Sequence, residues 1–174
     1  MLVDNKQTGR QALLRYSTTF LLLFVSLQFL YQTSRDTELH RFWLEQLTVV
    51  PSAAVISWIT PQETVIAQGH SLRSPYVRLS VFNGCEGTEV ILLLVSALLA
   101  LRLPWRQTLS SIFLGVLLVY VVNQARIITL YYCLRFDRSL FDSLHGIIAP
   151  LAIIAIATLF FLYWVPHDRS QRNA

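Results

Sequence analysis

Four apolar stretches recur along the chain, at about residues 16–31, 86–103, 109–132 and 145–165, each followed by a polar or charged break. A helix rises about 1.5 Å per residue and needs roughly 17 to 25 residues to cross a hydrocarbon core. The last two stretches meet that length. The second is apolar without interruption only over 90–101 and crosses by borrowing its flanks; the first carries Ser17, Thr18, Thr19, Ser26 and Gln28. Between these two, Leu39, Phe42, Trp43, Leu47 and Val50 recur at near-helical spacing with Arg41 and Glu45 among them. That pattern predicts an amphipathic helix over 36–59 lying at the membrane interface, punctuated by Pro51 and Pro61. From Thr64 the period shortens, and 65–67 and 76–82 read as two strands around a turn at 69–75. The predicted fold class is an all-α integral membrane protein of about four transmembrane helices, with an extracytoplasmic amphipathic helix and a short β-hairpin between the first two.

Composition agrees with a bilayer as the solvent. Of the 174 residues, 54% are hydrophobic and 14% charged, and mean hydropathy is +0.50, which is not the balance of a soluble domain. The net charge of +4 does not point to nucleic acid, because the basic residues are scattered around apolar runs and form no stripe or basic motif. Lys6, Arg10 and Arg15 ahead of an apolar core also fit a signal peptide, but the residues from Leu30 to Arg35 offer no small-x-small cleavage site, so the segment reads as a retained anchor.

Cationic residues cluster in the N-terminus, between Arg102 and Arg106, and in the tail at Arg169 and Arg172; the positive-inside rule puts these on the cytoplasmic side. The resulting organisation is a cytoplasmic N-terminus over 1–15, one membrane-embedded domain over 16–165 with an extracytoplasmic insert over 32–85, and a cytoplasmic tail over 166–174. No internal repeat or low-complexity tract interrupts it.

That topology brings three reactive side chains to the outer face. Cys85 lies between Gly84 and Gly87 where the insert becomes the second helix, and a helix N-terminus favours a thiolate, whereas Glu86 and Glu89 oppose it. Arg126 stands about six residues inward from Tyr132, with Asn123 three residues before it, and either pairs with Glu86 or Glu89 or serves another purpose. His145 opens the fourth helix, where Asp142 either orients the ring or caps the helix. Singly, each has an ordinary structural explanation: a buried or disulfide-bonded Cys (with Cys133), an ion pair, a polar helix end. Together they form a nucleophile, an anion stabiliser and a general acid/base. Trp43, Trp58, Trp105, Trp164, Tyr31, Tyr131 and Tyr132 read as interface markers, Arg135 and Arg138 as loop charges, and His40, His70 and His167 belong to no constellation.

The run Gly84-Cys85-Glu86-Gly87, then Asn123-Gln124-Ala125-Arg126, then His145 on the next helix resembles the exosortase/archaeosortase family of integral-membrane cysteine transpeptidases, over about residues 35–165. The resemblance implies a bacterial inner-membrane enzyme with its active site facing the periplasm. Its partners would be secreted proteins bearing a C-terminal motif, a transmembrane helix and a basic cluster, together with membrane lipid and an envelope acceptor. By position, Cys85 would be the nucleophile, His145 the acid/base and Arg126 the stabiliser, with Asn123, Gly84, Gly87, Glu86, Glu89 and Asp142 in support. No cofactor is implied. Two departures stand out: Glu86, where many relatives carry a small or neutral residue, and the short length of this chain. Three other classes share these residues: a metal site, which lacks tight ligand spacing; a non-enzymatic receptor for sorting-signal helices; and a hydrolase without transfer.

Overall fold

Two prolines set the shape of two of the helices. Pro51 has no N–H to give the carbonyl of Leu47, and Pro150 none for Gly146. In both places the helix widens by one π turn ahead of the proline, at Glu45–Val49 and Leu144–Ile148, and continues past it. The structure, a computed structural model, describes residues 2–82 and 84–172. Asn83 and the side chains of Lys6, His167, Arg169 and Arg172 lie outside the described residues. Helix α1 is Leu2–Ser34; α2 (Glu38–Leu44) runs through the first π turn into α3 (Val50–Ile59); α4 is Thr88–Ala100 and α5 is Trp105–Phe136; α6 (Arg138–Ser143) runs through the second π turn into α7 (Ala149–Arg172). His145 therefore lies about two turns into a continuous helix and does not open it; Asp137 caps that helix, accepting from the Ser139 N–H at 3.0 Å.

Among the described residues four helical stretches are long and apolar enough to cross a membrane, Arg10–Ser34, Glu38–Ile59, Trp105–Phe136 and Arg138–Trp164. Thr88–Ala100 is shorter, 13 residues, or about 20 Å. Packing nonetheless carries α4 along the apolar length of α1. Next to its start Glu86 and Glu89 meet Tyr31 and Arg35, and just past its end Arg102 shares a cavity with Arg15 and Thr19. Helix α4 also packs on α5 and α7. All three meet at Gly115, where a Cβ would stand 2.9 Å from Leu94 and 3.0 Å from Phe160.

The unit α2–α3 keeps to the later half of α5. The Tyr120 hydroxyl donates to the Leu47 carbonyl at 2.8 Å, which replaces the bond Pro51 cannot make. Ser52 donates to Gln124 at 2.6 Å, and Thr60 meets Tyr132 at 2.6 Å. In place of the expected hairpin of 65–67 with 76–82 stands a three-stranded antiparallel meander, β1 (Ile66–Gln68), β2 (Ser71–Arg73) and β3 (Arg78–Ser80), in which the expected turn supplies the middle strand. Gly69 at φ 56 lets Gly69-His70 close β1 onto β2. Leu72 and Leu79 then pair across β2 and β3 and face the core, at 0% and 7% exposure. Among the described residues there are two apolar clusters: one joins α2, α3, the sheet and the end of α5 around Tyr131, and the other joins α4, α5 and α7 around Leu94, Leu98 and Val119.

Candidate functional site

The loop from β3 into α4 is held by backbone geometry that only glycine adopts cheaply. Gly87, the residue capping α4, has φ 79, and a Cβ there would lie 3.0 Å from Cγ and 3.2 Å from Cβ of Asn123. Glycine thus lets the first turn of α4 press directly on α5 beside Asn123, which is itself buried at 2% exposure. Two residues ahead of that cap sits Cys85, its N–H donating to the Phe82 carbonyl at 2.9 Å. Its half-buried side chain lines a cavity of about 160 Å³, with His145, Phe141, Ile127, Leu130 and residues 79–82 around it.

Burial pushes the Cys85 thiol above its ordinary value, while the nearby Arg126 charge pulls it down and the Glu86 charge pushes it up. The helix-end advantage expected for a thiolate is thus outweighed by desolvation. Arg126 lies within electrostatic range of both Cys85 and His145. The His145 ring stacks on Phe141, 5.4 Å between centroids and 6° between planes, on the π turn that Pro150 imposes. Asp142 is exposed and makes no hydrogen bond to the ring among the described residues, so Phe141 rather than Asp142 holds the imidazole.

The two acidic neighbours of Cys85 are answered from α1 and the turn after it. The buried Glu86 accepts the Tyr31 hydroxyl on Oε1, and Glu89 pairs with Arg35 at 3.3 Å. Arg35 in turn lies over the Tyr31 ring, 5.0 Å from its centroid. Among the described residues no carboxylate is left within ion-pairing distance of Arg126, whose Nε is buried without a partner. Glu86 Oε2, Thr88 Oγ1, Asn123 Oδ1 and His145 Nδ1 are likewise buried and unpartnered. Such a concentration of orphaned polar atoms in one neighbourhood suits a polar ligand. Both cysteines, Cys85 and Cys133, are free thiols. Among the described residues no group of His, Cys, Asp and Glu could hold a metal ion.

Several residues here escape a sequence reading. Tyr31 reads as an interface marker and Arg35 draws no notice, because their partners are 55 and 54 positions away. Arg135, which reads as a loop charge, bonds the buried Glu63 at 3.0 Å and lies 3.7 Å from the Tyr76 ring centroid, while Tyr131 donates to the same carboxylate at 2.7 Å. That network ties the insert to α5 beside the site.

The helices and the site define a class: a multi-pass membrane protein with a thiol, a guanidinium and an imidazole gathered at one end of its bundle. Residues 7–165 match the family model described as transmembrane exosortase (Exosortase_EpsH), and the chain belongs to that family. No curated protein and no solved structure matches it.

Proposed function

We propose that this membrane exosortase is a cysteine transpeptidase that cuts C-terminal sorting signals from secreted proteins and transfers the body of each protein to an envelope acceptor. The observation that carries the reading is the state of Arg126: its candidate carboxylates are engaged by Tyr31 and Arg35, while it remains in range of both Cys85 and His145. An unpaired cation of this kind is available to a developing oxyanion.

With burial holding Cys85 as the thiol, His145 takes the Sγ proton as sulfur attacks the scissile carbonyl. The oxyanion forms against Arg126. Collapse of the tetrahedral species breaks the C–N bond, and the imidazolium returns its proton to the departing amine, leaving a thioester on Cys85. An acceptor amine or hydroxyl, or water, then attacks the thioester and regenerates the thiol. The whole proceeds in a single domain over 16–165 with insert 32–85, in the bacterial inner membrane, with both termini cytoplasmic and Cys85 facing the periplasm. The α1–α4 packing supports this arrangement, since it runs α4 back along the apolar length of α1. A substrate whose own helix spans the same bilayer presents its preceding motif at the depth of Cys85, so part of the rate comes from proximity.

In cells, Cys85→Ala is expected to insert normally and to let a tailed substrate accumulate uncleaved. Normal processing by that variant would sink the proposal and leave a receptor for sorting-signal helices.

A further inference from the structure

At the end of the bundle opposite Cys85, about 24 Å away along α1 from Tyr31 to Arg15, two cavities adjoin. One, of about 190 Å³, is lined by Arg15 and Thr19 of α1 and by Arg102 of the turn after α4. The other, of about 360 Å³, is an apolar groove between α1, α4 and α7, with Phe20, Ala97, Ala100 and Phe161 on its walls. Tyr16 belongs to both. Arg102 has φ 52, a left-handed position that glycine occupies without penalty; here it carries a guanidinium instead. Every carboxylate whose side chain is described lies on residues 36–89 or 137–142, and neither Arg15 nor Arg102 pairs with any of them.

We propose that this place binds one anionic phospholipid, its phosphate bridging Arg15 and Arg102 and part of one acyl chain lying in the groove. Charge complementarity selects the occupant. Two guanidiniums with no facing carboxylate among the described residues match a phosphate, which each can grip bidentately. A mainly apolar groove directly beside them matches the chain attached to that phosphate, and basic pockets between transmembrane helices are where anionic headgroups seat. The small side chains of Ala97 and Ala100 give the groove its depth.

The test is native mass spectrometry of the full-length protein in detergent, titrated with palmitoyl-oleoyl phosphatidylglycerol or the matching phosphatidylcholine. The wild type is expected to retain one phosphatidylglycerol with a preference of roughly tenfold or more over phosphatidylcholine. R15Q/R102Q should bring the two lipids level, and Ala97→Phe, which fills the groove, should weaken both. Millimolar inorganic phosphate should not displace the lipid. Equal retention of the two lipids by the wild type would overturn the proposal without any variant having to fold. So would undiminished phosphatidylglycerol retention in R15Q/R102Q, unchanged binding in Ala97→Phe, or displacement by inorganic phosphate, which would mark a site for the free anion.

Discussion

Gly87→Ala probes how the nucleophile loop is held against α5. The new methyl group meets two penalties. At φ 79 an L-residue loses roughly 1 to 2 kcal/mol relative to glycine. Its Cβ would also stand 3.0 Å from Asn123 Cγ, 3.2 Å from Cβ and 3.3 Å from Oδ1, and overpacking of a buried contact costs roughly 1 to 3 kcal/mol. Asn123 is buried on a helix and has little room to yield. A total near 3 kcal/mol would lower the thermal midpoint by about 6 to 12 °C for a chain of this size, measured by differential scanning fluorimetry in detergent. The contact part is separable by a double-mutant cycle. Asn123→Ala removes Cγ and Oδ1 but leaves Cβ, so Gly87→Ala should cost roughly 1 kcal/mol less in that background. Strict additivity of the two substitutions would refute the packing of Gly87 on Asn123.

Other expectations concern charge and hydrogen bonding. Alkylation of Cys85 by iodoacetamide follows the thiolate fraction, so its rate should rise with pH through a midpoint above that of an ordinary thiol. Arg126→Gln, which removes the charge that lowers the thiol pKa, should move that midpoint up, and Glu86→Gln, which removes a charge that raises it, should move it down; opposite movements would reverse the assigned roles. Arg135→Ala strips the buried Glu63 of its cation and should destabilise by about 3 kcal/mol at most, because Arg135 is 25% exposed; the thermal midpoint reports it. Tyr120→Phe should cost about 1 kcal/mol, and less in a Pro51→Ala background, where residue 51 regains an N–H for the Leu47 carbonyl.

The long apolar helices α1, α5 and α7, the sheet's position and the meeting of Cys85 with His145 were legible because apolar run length, a shortening period and glycines around a cysteine are local patterns. What was not legible depends on distant partners. Nothing near Glu89 in the chain names Arg35, and nothing near Arg135 names Glu63, so one looked like a partner for Arg126 and the other like a loop charge. The start of the last helix is hidden for a related reason. His145 follows several polar residues and looks like a boundary, but Asp137 supplies the cap and Pro150 converts the turn around His145 into a π turn. The third strand is hidden because β2 contributes one apolar residue, Leu72, too few to show alternation. Length and hydropathy also single out Glu38–Ile59 ahead of Thr88–Ala100, whereas contacts keep the former to the later half of α5 and run the latter along α1.

The most direct measurement of the central proposal is mass spectrometry of the protein after incubation with a tailed substrate and rapid acid quench. A thioester linking the substrate's new C-terminus to Cys85 is predicted, released by hydroxylamine, absent in Cys85→Ala and strongly reduced in His145→Ala. Cleavage of the substrate with no adduct on Cys85, or with full yield in Cys85→Ala, would contradict it.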